Sequence, residues 1–188
     1  MAQTLKDQII DSFIAHFNAE GTDLRLSEIA TSLHISKKTI YKVFASKSAI
    51  YNTIIEKAAE EIRERKEAIL ASPKPTKEKL YDMLTIKTTY EDAFNMPRLS
   101  ELKEGEPTVY ADLLKAYEVS WASFEDLLEQ GKKEGVVSPE VNTALTVAAL
   151  AGAYQALYKN DFLKKNHLSY TQAVLQIARM TLDGILAR

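Results

Sequence analysis

The sequence predicts an all-α protein of about nine helices, and three observations lead to that class. Apolar residues recur every three to four positions along nearly all of the 188 residues, which is the period of a helix with one buried face. No segment alternates apolar and polar residues between turn-forming residues, as a half-buried strand does. Capping residues and proline or glycine breaks divide the pattern into separate helices.

Four helices are predicted in the N-terminal part of the chain. Their spans are about 4–19, 27–33, 37–44 and 46–70. Thr4, Ser36 and Ser46 stand at the starts of three of these helices. A hydroxyl side chain at that position accepts a hydrogen bond from the first turn of the helix, so each of these residues is expected to be an N-cap.

Five more helices are predicted after the stretch "ASPKPTK", whose two prolines break the helical pattern. Their spans are about 76–94, a short segment within 95–107, 108–134, 138–163 and 169–187. Ser138 followed by Pro139 predicts the start of the fourth of these helices. Ser169 with Gln172 predicts a capping box at the start of the last one.

The composition limits the classes of function. The formal net charge of −2 gives the whole chain no attraction to nucleic acid or membrane, and there are no cysteines for disulfides, thiol catalysis or thiolate metal sites. The charged N-terminus differs from an export signal, and the apolar stretch 144–158 is too short to span a bilayer. We expect a soluble, cytoplasmic protein without a cofactor or a metal site.

One short segment departs from this acidic average. "SKKTIYKVFASK" carries four lysines, and no carboxylate occurs from residue 29 to residue 55. A short helix, a tight turn and a second short helix is the arrangement of a helix-turn-helix, whose second helix enters the major groove of DNA. Ile40, Val43 and Phe44 form the inward stripe of that second helix, which leaves its basic and aromatic face outward. That outward face consists of Lys37, Lys38, Tyr41 and Lys42.

The stretch "IATSLHISKKTIYKVFASKSAIY" resembles the DNA-binding signature of the TetR-type transcriptional repressors. The matching residues are Ile29, Ala30, Ile35, Ser36, Lys37, Thr39, Ile40, Tyr41, Phe44 and Lys47. The resemblance implies that Thr39, Tyr41 and Lys47 contact phosphates. It implies that Lys37, Lys38 and Lys42 approach base edges or the DNA backbone.

The family pattern is not matched everywhere, and the differences concern the same surface. Lys38 stands where the family often has glycine, which adds a basic group. Arg25 stands where the second helix often has a serine or threonine cap, so phosphate anchoring there is either ionic or lost. With Ser36, these residues complete the predicted DNA-binding set. The predicted domains are a helix-turn-helix domain at 1–47 and an effector-binding and dimerisation domain at 48–188.

The resemblance implies an effector pocket and a dimer interface in the second domain. The aromatic residues there favour an apolar pocket for a small apolar or aromatic effector, with these candidates: Tyr90, Tyr117, Trp121, Phe124 and Tyr154. The last two helices are apolar on two sides, which suggests a second subunit as one of the two partners. The candidate interface residues are Ala148, Gly152, Val174, Ile177, Ala178, Thr181 and Ile185.

The sequence therefore predicts a homodimeric regulator that binds an inverted-repeat operator in double-stranded DNA, most simply a ligand-responsive repressor. It is not expected to be an enzyme, because no phosphate-binding glycine loop, nucleophile elbow or metal motif is present. Two alternatives stay open. One is a helical small-molecule-binding protein without DNA-binding activity, and the other is a protein–protein adaptor.

Overall fold

A computed structural model of the chain describes residues 3–118, 121–159 and 162–187. Within these ranges the side chains of seven residues are not described: Asp92, Met96, Pro97, Tyr117, Glu118, Tyr158 and Lys159. The described residues form twelve α-helices, two 3-10 turns and one isolated β-bridge, between Val137 and Leu186. The predicted all-α class is confirmed, with more helices than the expected nine.

The four N-terminal helices follow the predicted spans closely. They are α1 (Leu5–Glu20), α2 (Leu26–Ser32), α3 (Lys37–Val43) and α4 (Lys47–Ala71), with a 3-10 turn at Gly21–Asp23. Thr4, Ser36 and Ser46 begin α1, α3 and α4. Each accepts a hydrogen bond from the backbone N–H three residues on, over 3.0–3.2 Å. All three predicted N-caps are confirmed.

The chain uses the same turn twice, at 33–36 and at 166–169. A histidine in each turn has a left-handed backbone, with φ of 54° at His34 and 52° at His167. The next residue donates its N–H over 3.0 Å to a carbonyl five residues earlier, a hydrogen bond typical of a helix end. A serine then caps the following helix, Ser36 for α3 and Ser169 for the last helix.

Eight helices make up the rest of the described chain. They are α5 (Thr76–Leu84), α6 (Thr89–Ala93), α7 (Leu102–Gly105), α8 (Pro107–Glu118), α9 (Ala122–Lys133), α10 (Thr143–Lys159), α11 (Phe162–Lys165) and α12 (Tyr170–Ile185). The second 3-10 turn, Met96–Glu101, precedes α7.

Two of the predicted long helices are each divided in the structure. The helix expected at 76–94 is interrupted because Thr88 and Glu91 form a capping box that starts α6. The Thr88 hydroxyl accepts from the Glu91 N–H over 3.0 Å, and the Glu91 carboxylate accepts from the Thr88 N–H over 2.8 Å. The helix expected at 108–134 is divided between α8 and α9, with Trp121 at the N-cap position of α9.

The predicted start of α10 at Ser138 is wrong by several residues. The Ser138 N–H donates to the Ile185 carbonyl over 2.9 Å, and the Ala187 N–H donates to the Val136 carbonyl over 2.9 Å. These bonds hold the segment extended against the end of α12. The side chain of Asn142 accepts from the Leu145 N–H over 2.9 Å and caps α10 instead.

Two apolar cores lie along the chain, and α4 reaches both. The first core joins α1–α4 to α7, α8 and parts of α11 and α12, and it contains Ile50 and Ile54 of α4. The second core joins α5, α9, α10 and α12, and Ile69 packs against it. With 25 residues, α4 is about 37 Å long. Among the described residues, no helix combines the length and the apolar character that a bilayer crossing requires.

Candidate nucleic-acid interface

The position of α3 is set by the turn that precedes it and by its buried face. The helix α2 packs through Leu26 and Ile29 and ends in the turn at His34. On α3, Ile40 is completely buried, and Phe44, immediately after the helix, is almost completely buried. Because these residues occupy one side of a seven-residue helix, the opposite side faces solvent.

The outward face of α3 is basic and aromatic. Lys37, Lys38, Tyr41 and Lys42 are exposed, and 47% of the Tyr41 surface is accessible. The ammonium of Lys37 lies 5.8 Å from the centre of the Tyr41 ring, which is within the range of a cation–π contact. None of the three lysines forms an ion pair with a described residue. Their charges are therefore available to an anion outside the chain.

The start of α3 is arranged around two hydroxyl groups. Besides accepting from the Thr39 N–H, the Ser36 hydroxyl lies 2.8 Å from the Thr39 hydroxyl. Ser36 is exposed and Thr39 is half-buried at the edge of the basic face. Both hydroxyls stand next to the first-turn N–H groups of the helix, where partial positive charge favours an anion.

Arg25 lies at the N-cap position of α2 with an exposed side chain. A guanidinium has no acceptor, so it cannot cap a helix as serine or threonine does. The backbone N–H of Arg25 instead donates over 3.3 Å to the carboxylate of Glu28. The guanidinium is left on the surface, so of the two sequence-based alternatives the structure is compatible with ionic anchoring.

Lys47 differs from the other lysines of the segment. It is the first residue of α4, and its side chain is turned inward and half-buried. The ammonium donates to the backbone carbonyl of Thr22 and lies 3.5 Å from Glu106 Oε1. The structure therefore does not bring Lys47 onto the basic face together with Lys37, Lys38 and Lys42.

The predicted effector residues fall into two places. Trp121 packs edge-to-face against Phe124 and Tyr154, with ring centres 5.9 and 5.3 Å apart. Phe124 is buried in the second core, and the Tyr154 hydroxyl donates to the Leu84 carbonyl. Burial, with the nearby charge of Glu91, raises the pKa of Tyr154. The Tyr117 side chain lies outside the described part of the chain.

Tyr90 lines a separate cavity of about 50 Å³ between α4, α6 and the α7–α8 segment. The walls are mostly apolar and include Ile54, Phe94 and Leu113. Tyr51 also lines this cavity, and its hydroxyl is buried without a hydrogen-bond partner among the described residues. A buried hydroxyl without a hydrogen-bond partner lowers the stability of the fold, so the Tyr51 hydroxyl is available to donate a hydrogen bond to a bound ligand.

Glu91 supplies the cavity with a buried carboxylate. One oxygen accepts from the Thr88 N–H, and the other lies 3.2 Å from the hydroxyl of Tyr170. Sequence reasoning missed Tyr51, because nothing local distinguishes it from an ordinary core tyrosine. It also missed Glu91, although the spacing of Thr88 and Glu91 is that of a capping box and was visible in the sequence.

The predicted dimer residues divide according to their burial. Ala148 and Gly152 are exposed, and Ile177 and Thr181 are half-buried. The other three predicted residues, Val174, Ala178 and Ile185, are buried in the chain's own cores. That part of the prediction is corrected, because side chains that pack inside one chain leave no surface for a partner.

An apolar stripe nevertheless remains exposed on α10 and α12. It consists of Leu145, Ala148, Ala149 and Gly152 on α10, and Ile177, Met180, Thr181 and Gly184 on α12. Leu145 is 69% exposed and Met180 is 75% exposed. Beyond its chain neighbours and the backbone of its own helix, a Cβ atom at Gly152 or Gly184 would meet no described atom within 4 Å. The stripe is therefore open to another helix at close range.

Comparison with known proteins agrees with this architecture. No protein-family model matches the sequence. The regulator YvaF of Bacillus subtilis (strain 168), described as an uncharacterized HTH-type transcriptional regulator, is 22% identical over 169 residues. Those residues are 89% of this chain and 88% of that protein.

Solved structures show the same fold. A TetR/AcrR-family regulator from Thermobifida fusca YX-ER1 superposes with a TM-score of 0.68 at 24% identity, covering 95% of this chain and 97% of that one. PfmR, a TetR-family regulator from Thermus thermophilus, superposes with a TM-score of 0.68 at 19% identity, covering 96% and 97%. The resemblance found in the helix-turn-helix residues is thus confirmed at the level of the fold. These relatives are transcriptional regulators, not enzymes.

Proposed function

From a chain with the fold of the TetR/AcrR-type regulators, we propose a transcriptional repressor that binds an inverted-repeat operator as a homodimer and responds to a small molecule. The observation that carries the proposal is the outward face of α3. Three exposed lysines and Tyr41 lie on one side of a capped helix, with no carboxylate nearby in the sequence. Such a face suits the phosphates and base edges of a major groove.

In this proposal, residues 1–47 are the DNA-binding domain. The predicted residues on α3 and at its start contact phosphates and base edges, as the resemblance implies. Arg25 adds an ionic contact to a phosphate at the start of α2. Backbone contacts supply most of the affinity and fix the orientation of the helix. Base contacts from the lysines of α3 supply the sequence preference.

The homodimer forms through the apolar stripe of α10 and α12. Each helix presents residues at i, i+3, i+4 and i+7, and each run ends in a glycine, at Gly152 and Gly184. Two copies of the stripe bury each other around a two-fold axis and present two α3 helices to the two halves of an operator. Glycines allow helices of the two chains to approach closely.

The effector site takes in the cavity lined by Tyr51 and Tyr90, with the neighbouring cluster of Trp121, Phe124 and Tyr154 as its wider surroundings. The cavity volume of about 50 Å³ holds only a very small molecule. A larger guest must push its walls apart. The walls favour an apolar guest, and the Tyr51 hydroxyl favours one with a hydrogen-bond acceptor.

The test is selection of genomic fragments with the purified protein at physiological salt, followed by fluorescence anisotropy on the enriched site. An enriched inverted repeat supports the proposal. No enrichment by a folded dimer contradicts it, and favours the ligand-binding or adaptor alternatives.

A salt series then tests the role of α3. Lys42→Ala should weaken binding and reduce the slope of log affinity against log salt by about 0.9 for each DNA phosphate that is no longer neutralised. The matched control is Lys133→Ala, which removes an exposed lysine at the end of α9, away from α3. Equal effects of the two substitutions would exclude α3 as the recognition helix.

A further inference from the structure

The N-terminal helices meet the rest of the chain at a close junction between Thr22 and Gly105. Thr22 lies in the 3-10 turn after α1, and Gly105 is the last residue of α7. A Cβ atom at Gly105 would lie 2.6 Å from the Cβ atom of Thr22, a distance at which the two atoms overlap. The absence of a side chain at Gly105 therefore allows α7 to lie directly against the turn.

Glu106, the residue after α7, holds the start of α4 with both oxygens of its carboxylate. Oε1 lies 3.5 Å from the ammonium of Lys47, and Oε2 accepts from the Ser48 hydroxyl over 3.2 Å. On the other side, the same ammonium donates to the Thr22 carbonyl. The Lys47 side chain therefore spans the junction between the turn after α1 and the segment after α7.

This arrangement conflicts with the role that the family resemblance implies for Lys47. A lysine that contacts a DNA phosphate must direct its ammonium toward solvent, as Lys37 and Lys42 do on α3. Here the side chain of Lys47 is only 23% exposed, and that of Glu106 is only 20% exposed. An ammonium carries a single positive charge, and in this position it is already neutralised inside the chain.

We propose that Glu106 is a positioning residue that withholds Lys47 from DNA, so that its carboxylate and an operator phosphate compete for one ammonium. This proposal rests on the DNA-binding function proposed above. When Lys47 is paired with Glu106, the dimer binds the operator more weakly. When the pair opens, Lys47 turns outward at the first turn of α4, where the helix N-terminus also favours a phosphate.

The cavity described above connects this pair to an effector. Two residues that line the cavity flank Glu106 in the sequence. Leu102 lies four residues before it, and Val109 lies three residues after it. Tyr51 also lines the cavity, and burial raises its pKa, with further contributions from the charges of Glu106 and Glu101. A guest that pushes Leu102 and Val109 outward also moves Glu106, because packed interiors transmit displacement.

The experiment is a double-mutant cycle measured by anisotropy on the selected operator. Glu106→Gln removes the charge but keeps an acceptor for Ser48, and we expect operator affinity to rise on the order of fivefold. In a Lys47→Ala background the same substitution should have no effect on affinity. The control Glu104→Gln removes the same charge from an exposed position on α7, and it should change affinity by less than about twofold.

Two results would overturn the proposal. One is wild-type affinity in Glu106→Gln, and the other is an equal rise with and without Lys47, which would indicate a general charge effect. If Glu106→Gln fails to fold, Glu106→Asp withdraws the carboxylate by one methylene at constant charge. Glu106→Asp should also raise operator affinity, and unchanged affinity in that variant would likewise overturn the proposal.

Lysine acylation followed by mass spectrometry tests the pair without DNA. Lys47 should react more slowly than Lys37 and Lys42 in the wild-type protein, and at a comparable rate in Glu106→Gln. Rapid acylation of Lys47 in the wild type would disprove the pairing. Loss of DNA binding in every variant, wild type included, would overturn the proposed function and the DNA role of the pair together. If the wild type binds the operator and Glu106→Gln has the same affinity, only the proposed role of the Lys47–Glu106 pair would be overturned.

Discussion

The outward face of α3 and the apolar stripe of α10 and α12 are two exposed surfaces of opposite chemistry. Lysines remain well solvated in water, so the α3 face is stable without a partner. Leu145 and Met180 are also exposed, but apolar surface in water costs about 25 cal/mol for each Å². The stripe is therefore expected to be covered permanently, and the α3 face only when an anion is present.

The largest effect on operator affinity is expected from a charged substitution in the apolar stripe. Met180→Glu places a charge in the surface that the proposed homodimer buries between its two chains, and we expect a monomer in analytical ultracentrifugation. Loss of the second half-site should lower affinity for a full operator by about 100-fold. The matched control is Leu175→Glu, an exposed leucine on α12 outside the stripe. A dimer that survives Met180→Glu would contradict the interface.

A smaller effect is expected on the α3 face. Tyr41→Ala should lower operator affinity about tenfold because it removes one side chain of the proposed DNA-contacting face. The melting temperature should be unchanged because the ring is about half exposed. Tyr81→Ala removes a ring of similar exposure, 43%, from α5. It should leave DNA affinity as it is. Unchanged operator affinity in Tyr41→Ala would refute the assignment of α3.

The smallest effect concerns the turn that positions α3. His34→Val should lower the free energy of unfolding by about 1 kcal/mol, because a β-branched residue is strained at a φ of 54°. The control His34→Gly also removes the ring but tolerates this conformation, and should not destabilise the protein in urea unfolding. Equal destabilisation by both substitutions would assign the effect to the imidazole ring rather than to the backbone.

The sequence could predict the α3 face almost residue by residue. Ser36 caps the helix, Ile40 packs inward, and the lysines face out, all of which follow from spacing within ten residues. The stripe could be predicted only to the level of its helices. When a helix is apolar on two sides, its sequence does not show which side packs against its own chain. Val174, Ala178 and Ile185 were therefore assigned to the dimer interface, although they pack in the chain's own cores.

Lys47 shows a second limit of the same kind. Its position in the family pattern implies a phosphate contact, and no nearby residue argues against that role. The partner that turns it inward, Glu106, is 59 positions away along the chain, and the contact depends on the close approach of Gly105 to Thr22. Contacts over such separations come from the packing of whole elements, which local patterns do not encode.

The repeated turn has a consequence for insertions and deletions in the gene. It precedes α3 in one case and α12 in the other. In both turns a single residue separates the histidine from the serine that caps the helix. An added or removed residue there would disrupt the hydrogen bonds that set where the following helix begins. A single-codon insertion at 33–36 or 166–169 would therefore direct the lysines or the apolar stripe elsewhere. Natural length variation should therefore be rare in either turn.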